Sequence, residues 1–419
     1  MKHSTLTYID LFAGAGGLSE GFIRQGFQPI AHVEMDEHAC FTLKTRLAYH
    51  YLKSERKTGI YNQYLKNQHT DKKENERQRN KLYGHIPADI ANSVINCAIG
   101  DQSINDIFKK IDSLLENRKV DVIIGGPPCQ AYSNIGRSRD PNRMRNDPRN
   151  YLFKYYAEFL KRYEPKMFVF ENVQGILSAK NGYYYDSMKE AFALAGYHLE
   201  KRILQSEKYG VLQTRKRVVI VGWEKDKKYG FPDVPEIANQ WQVQDILSDL
   251  LPLEPGDSTP VKNYYTDTND YLKKFNIRNG SNFITQHTTR PHHERDLQIY
   301  EEAIEKWLLK RERLNYNDLS EEKKTHKNRK SFLDRFKVVD PFGHSHTMVA
   351  HIAKDGHYYI YPDLKQIRSI SIREAARIQS FPDDYFFEGG QSAAFRQIGN
   401  AVPPLMAEQI AKGVKKVLG

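Results

Sequence analysis

The run Val120-Asp121-Val122-Ile123-Ile124-Gly125-Gly126-Pro127-Pro128-Cys129-Gln130 divides into two unlike halves. The first half is apolar, rich in branched side chains and of strand length, which reads as a buried strand. The second half is glycine and proline, which end a strand abruptly. Cys129 is left in the loop beyond the strand's carboxyl end. In an open α/β sheet, ligands and chemistry gather at that end. A single cysteine is most often a small buried hydrophobe. A thiol on a turn just past a strand is a candidate nucleophile instead.

Upstream, Thr7 to Phe12 reads as a first strand and Ala13-Gly14-Ala15-Gly16-Gly17 as a glycine turn. Leu18 to Gln25 then opens a helix, with Gly26 where a C-cap would lie. This is the front end of a nucleotide-binding unit, although the spacing is not that of a dinucleotide fingerprint. Pro29 to Glu34 reads as strand two. Glu34 falls 20 residues after Gly14, where an acidic side chain can hold ribose hydroxyls. A third strand is predicted over Ser93 to Ile99, ending at Gly100-Asp101. Downstream, Met167 to Phe170 leads into Glu171-Asn172-Val173. Strands follow near Tyr197 to Leu204 and over Arg217 to Gly222, the last preceded by Gln213 and Arg215. Seven strands alternating with helices predict an α/β fold with a doubly wound sheet.

The chain has 419 residues and a formal net charge of +11, which suits an anionic partner such as nucleic acid. No apolar run approaches the roughly 18 residues of a membrane span, so no membrane association is expected. The start lacks a signal-peptide core. The three cysteines are scattered, which fits a reducing cytoplasm and no disulfide framework. His287, His292 and His293 are irregularly spaced with no cysteine partner, so no metal is assigned.

Residues 51–83 interrupt the β/α alternation with nine Lys/Arg against four Asp/Glu. They read as a solvated, partly helical insertion. Residues 131–150 form a long polar loop with five arginines. Beside a nucleophile, such a loop suits a lid that closes on a phosphate backbone. Beyond residue 235 the alternation is lost. These shifts separate a first domain over 1–235 from a second, smaller one. Ser371 and Glu374 form a capping box.

Six stretches together resemble the cytosine-5 DNA methyltransferases. They are Asp10-Leu11-Phe12-Ala13-Gly14-x-Gly16-Gly17, Gly126-Pro127-Pro128-Cys129-Gln130, Glu171-Asn172-Val173, Gln213-x-Arg215-x-Arg217, the helix from Arg373 to Phe381, and Gln397-x-Gly399-Asn400-Ala401-Val402. The resemblance implies a catalytic first domain whose sheet binds S-adenosylmethionine, a smaller domain with hinge over 236–388 that recognises a target sequence in double-stranded DNA, and a segment over 389–419 that returns to the first. It implies that Cys129 adds to carbon 6 of a flipped cytosine, with Glu171, Arg215 and Arg217 as catalytic partners. Glu171 would supply a proton or hydrogen bond at ring nitrogen 3. Period two puts Arg215 and Arg217 on one face, able to hold Glu171 and the base carbonyl.

By the same resemblance, Asp10, Phe12, Ala13, Gly14, Gly16, Gly17, Glu34, Met35, Asp101, Pro128, Asn400 and Val402 form the cofactor site. Gln130, Ser133, Arg137 and Arg149 would contact DNA. A monomer is expected, functionally linked to a cognate restriction endonuclease. The alternatives are an RNA cytosine-5 methyltransferase on the same fold and an inactive DNA-binding relative.

Overall fold

The computed structural model describes residues 5–69, 71–128, 148–238, 240–325 and 327–419. A seven-stranded sheet organises the chain: β1 Thr7–Leu11, β2 Gln28–Glu34, β3 Val94–Asn96, β4 Val122–Gly125, β5 Met167–Asn172, β6 Tyr197–Gln205 and β7 Lys216–Glu224. Its spatial order is β3-β2-β1-β4-β5-β7-β6. β1, β2, β3, β4 and β5 run parallel. β1 and β4 are buried along their whole length because helices cover both sheet faces. The strand order reverses between β1 and β4, so the loops after these two strands flank one crevice.

The β/α alternation read from the sequence stops before the end of the sheet. β6 and β7 are consecutive antiparallel strands joined through residues 206–215, and β7 also runs antiparallel to β5. An antiparallel partner needs no crossover helix. This reversal brings the first residues of β7, not its last, to the carboxyl end of β5. β3 is also shorter than the sequence suggested, because it is an edge strand paired only with His32 to Glu34 of β2.

One face of the sheet packs against the helices Gly17–Arg24, Ile372–Ile378, Gln391–Asn400 and Pro404–Leu418. Helices Gly17–Arg24 and Pro404–Leu418 approach so closely that a Cβ on Gly21 would stand 2.4 Å from the Ala407 backbone. The other face is covered by helices Ile104–Leu115, Leu152–Tyr163 and Tyr183–Leu194.

The 51–83 stretch continues the helix Glu37–Ser54 and adds the helices Thr58–Lys66 and Lys72–Tyr83. Their outer faces are solvated, as the composition suggests. Their inner faces bury Tyr61, Tyr64, Leu65 and Leu82 in a cluster with Phe283 and Phe386. Residues 236–388 are mostly irregular. They hold the two-stranded ribbon of β8 Val261–Asn263 and β9 Phe283–Thr285, and the helix Glu294–Lys310. The capping box is formed: Ser371 Oγ accepts from Glu374 N, and Glu374 accepts from Ser371 N. Among the described residues, no helix is long and apolar enough to cross a membrane.

Candidate active site

The loop after β4 and the end of β5 form one unit. Asn172 Nδ2 donates to Pro127 O at 3.2 Å. A Cβ on Gly126 would lie 2.6 Å from Glu171 O and 2.9 Å from Glu171 Oε2. Only glycine lets the carboxylate come this close to the chain that leads to Cys129. The antiparallel start of β7 then brings Arg217 Nε to 2.8 Å from Glu171 Oε1, and both side chains are largely buried. An aimed guanidinium beside a carboxyl at a strand end is a preorganised polar site. Cys129, Gln130, Ser133 and Arg137 lie outside the described residues. Arg149 stands in the short 3-10 turn Pro148–Tyr151.

Arg215 does not join this pair, contrary to the expectation from the sequence. Its side chain is buried, and its Nη1 donates to Met348 O while Nη2 donates to Ala401 O at 3.0 Å. Arg215 lies just before β7 begins. There Gln213 forms an isolated bridge to Ser345, and Thr214 N donates to Ser345 O at 2.8 Å. Strand periodicity therefore does not apply at Arg215, and its side chain turns into the interior. Gln213 joins the same knot: its Nε2 donates to Gln379 Oε1 at 2.6 Å, and its Oε1 accepts from Met348 N at 2.6 Å. These residues hold the start of β7 to the chain around 345–348 and 399–401.

The turn after β1 leaves Phe12 at φ 58° and Gly16 at φ 80°. Its backbone is tied to the end of β2. Ala13 N donates to Val33 O at 3.1 Å, and Gly14 N to Glu34 Oε2 at 2.8 Å. Met35 N and Asp36 N both donate to Glu34 Oε1 at 2.8 Å. Burial pushes the Glu34 pKa up, and these three backbone donors oppose it. Asp10 is buried below the turn, and burial with the nearby Glu34 charge raises its pKa well above the usual carboxylate range. On the other side, a Cβ on Gly17 would meet Val402 O at 2.2 Å, so the 399–402 turn rests on the glycine loop.

Other expected cofactor residues follow β2, β3 and β4 or end the helix Gln391–Asn400. Met35 is 66% exposed at the end of β2, Pro128 is half-buried after β4, and Asn400 ends its helix exposed. Asp101 follows β3, is exposed, and accepts from the Tyr155 hydroxyl at 2.8 Å. Tyr155 and Tyr385 escaped sequence reading because neither carries a local signal. The Tyr385 hydroxyl donates to Ala15 O inside the glycine loop from 370 residues away.

The histidines noted in the sequence serve the interior or the surface. His287 Nε2 lies 2.8 Å from Leu251 O and Nδ1 3.0 Å from Ser371 Oγ. His292 Nε2 bonds to Ser369 Oγ at 3.0 Å, and His293 is exposed.

A mixed seven-stranded sheet with a glycine loop after β1, and a carboxyl held by arginine at the end of β5, defines an α/β methyltransferase architecture. The chain belongs to the C-5 cytosine-specific DNA methylase family, whose model matches residues 6–71 and 73–416. It is therefore a DNA cytosine-5 methyltransferase. It is 43% identical to a type II methyltransferase of Bacillus paralicheniformis, over 98% of each chain. It is 29% identical to a type II methyltransferase of Haemophilus parahaemolyticus, over 99% of this chain and 87% of the relative. Its fold is shared with a DNA modification methyltransferase from an Escherichia coli prophage, with TM-score 0.65, 24% identity and 99% of each chain covered.

Proposed function

We propose that the protein methylates carbon 5 of a cytosine within a specific duplex sequence, with Cys129 as nucleophile and S-adenosylmethionine as donor. The observation that carries this reading is the Glu171–Arg217 pair at 2.8 Å, packed against Gly126. It sets an acid and a cation against Gly126, which stands three residues before the thiol in the chain.

The glycine loop fits the donor. Among the described residues, buried Asp10 Oδ2 has no hydrogen-bond partner, and a Cβ on Gly14 would meet nothing within 4 Å. The first is a buried polar group below the turn, the second an open space on the turn itself. Phe12, Ala13, Gly14, Gly16 and Gly17 would line it from β1, and Glu34 and Met35 from β2. Asp101, Pro128, Asn400 and Val402 would line its remaining sides. S-adenosylmethionine supplies, when bound, the methyl group that carbon 5 takes.

In this reading Cys129 Sγ bonds to carbon 6 of the flipped base. The ring's electrons move toward nitrogen 3, where Glu171 delivers a proton or hydrogen bond. Arg217 orients Glu171 and faces the base carbonyl. Arg215 supports this site from behind rather than touching the base. Loss of the carbon-5 proton and elimination of the thiol then restore the aromatic ring and free Cys129.

The DNA-facing parts follow the same reading. Gln130, Ser133, Arg137 and Arg149 contact the substrate, and residues 236–365 read bases in the major groove. The boundaries are a catalytic part over 1–235, a target-recognition part over 236–388 and a returning segment over 389–419. The protein acts as a cytoplasmic monomer on double-stranded DNA, in a restriction-modification setting with a cognate endonuclease. The type II naming of its relatives supports that setting.

One experiment tests the chemistry. Incubation with cofactor and a duplex containing 5-fluorocytosine is expected to give a covalent complex that Cys129→Ser cannot form. No complex with the intact protein would reject the mechanism.

A further inference from the structure

The 51–83 insertion has no part in the chemistry above, yet its buried face is chemically specific. The Tyr61 hydroxyl donates to Asp384 O at 2.8 Å, and the Tyr64 hydroxyl donates to Glu388 Oε1. Arg79 Nη1 lies 3.6 Å from Glu388 Oε2. The Tyr64 ring also meets the Phe386 ring edge-on at 5.8 Å. The insertion therefore grips one short segment, Asp384 to Glu388, with hydrogen bonds to buried groups. A solvated arm has no need of such bonds.

That segment touches the glycine loop. Tyr385, in its middle, donates its hydroxyl to Ala15 O, between Gly14 and Gly16. Asp384 is tied to the helix that leaves the loop by a buried ion chain. Arg46 Nη1 lies 2.8 Å from Asp384 Oδ1, and Arg46 Nη2 lies 2.6 Å from Glu20 Oε1. The Arg46 guanidinium also covers the Tyr385 ring at 4.7 Å. The path thus runs from the insertion to Asp384–Glu388, through Tyr385 and Arg46, to both the turn and the helix behind it.

We propose that the helices Thr58–Lys66 and Lys72–Tyr83 are a clamp that positions the cofactor loop through Tyr385, with Tyr61 and Tyr64 as the positioning residues. This rests on the assignment of the glycine loop to S-adenosylmethionine. A loop held in its binding conformation binds more tightly because less ordering remains to be done. The clamp touches neither the base nor Glu171, so it sets cofactor affinity and leaves turnover at saturation unaltered.

The full-length protein is titrated with S-adenosylmethionine by calorimetry, and its kcat and KM are measured. Tyr61→Phe combined with Tyr64→Phe keeps both rings and removes both hydroxyls. This variant is expected to bind the cofactor about five- to thirtyfold more weakly, as the loss of one or two hydrogen bonds allows. Its kcat at saturating cofactor and DNA is expected within about twofold of the parent. Adding Tyr385→Phe is expected to weaken binding by less than the two effects combined, because all three act along one path. Should the tyrosine variants fold poorly, Glu388→Gln provides the same readout.

Unchanged cofactor affinity would overturn the inference. So would a loss of DNA affinity alone, which would make the insertion a DNA-binding arm. Glu34→Ala separates the two levels of argument. If it abolishes cofactor binding while the tyrosine variants keep it, only the clamp fails. If it too leaves binding intact, the cofactor site itself is misassigned.

Discussion

Arg217 Nε stands 2.8 Å from Glu171 Oε1, with the two side chains only 12% and 13% exposed. The contact joins the second residue of β7 to the penultimate residue of β5, and it exists because β7 runs antiparallel to β5. A charge-assisted contact in such shelter holds the carboxyl in one orientation. Glu171→Gln keeps the shape but cannot deliver a proton. Single-turnover methylation of duplex DNA is expected to fall by about 10²–10⁴-fold. Arg217→Met is expected to lower the same rate by about 10²-fold. A loss under tenfold in both would remove the pair from the chemistry.

Arg215 is expected to behave in the opposite way. Arg215→Met would leave the carbonyls of Met348 and Ala401 buried without this donor. Gln379 Nε2 still donates to Ala401 O, so stability in urea is expected to drop by about 1–3 kcal/mol, chiefly through Met348 O. Arg217→Met leaves the largely buried Glu171 without its cation, so it too is expected to destabilise the fold, by about 1–3 kcal/mol. Single-turnover methylation separates the two: folded Arg215→Met is expected to keep its rate within about tenfold of the parent, and a loss as large as that of Arg217→Met would place Arg215 in the reaction.

Gly126→Ala tests the close approach of the loop to Glu171. The new methyl would meet Glu171 O at 2.6 Å and Oε2 at 2.9 Å. The backbone oxygen cannot move without breaking the β5 ladder, so the loop must shift. An ångström of misplacement near reacting groups costs about 10²-fold in rate. Methylation is therefore expected to collapse while circular dichroism stays that of the parent. Full activity in the variant would show that the loop tolerates displacement.

Acid is expected to loosen the fold through its buried histidines. Burial holds the pKa of His32, His287, His292 and His346 each at about 4, against 6.5 for a free histidine. Between these two pH values the unfolded chain binds more protons, so stability rises with pH there. The contribution is complete above 6.5 and is lost as the pH falls toward 4. Asp10, Glu34 and Glu388 have raised pKa values and work against this slope. A single-site variant isolates one histidine. His287→Gln is expected to reduce the slope of unfolding free energy by about 1.4 kcal/mol per pH unit between pH 6 and 5. An unchanged slope would mean that His287 is charged in the fold.

Much of the architecture is local in origin and readable along the chain. Val122 to Ile124, Tyr8 to Leu11 apart from Asp10, and Val218 to Val221 are short apolar runs, and burial on both sheet faces leaves them little alternative. Glycines at positive φ after β1 and the Ser371–Glu374 box are fixed by backbone sterics and by spacing within one turn. Two features were not legible in the sequence for one reason. The direction of β7 and the inward turn of Arg215 depend on partners far away in sequence, at 167–172 and 345–401. The insertion showed a polar composition because its outer face is solvated. Its inner face buries five side chains, Leu52, Tyr61, Tyr64, Leu65 and Leu82, too few to create a periodic signal.

The sequence by itself determined the chemistry available: a thiol on a turn, a carboxyl at a strand end, a glycine loop and a basic surface. Each is a property of a few consecutive residues, and their order along the chain sufficed to assign the family. Only the tertiary structure decided which arginine meets Glu171, because that choice depends on strand direction. It alone joined Tyr385 to Ala15, and Tyr61 and Tyr64 to the same segment. Such contacts close loops of hundreds of residues. Their geometry is set by packing across the whole core, and no window of sequence contains it.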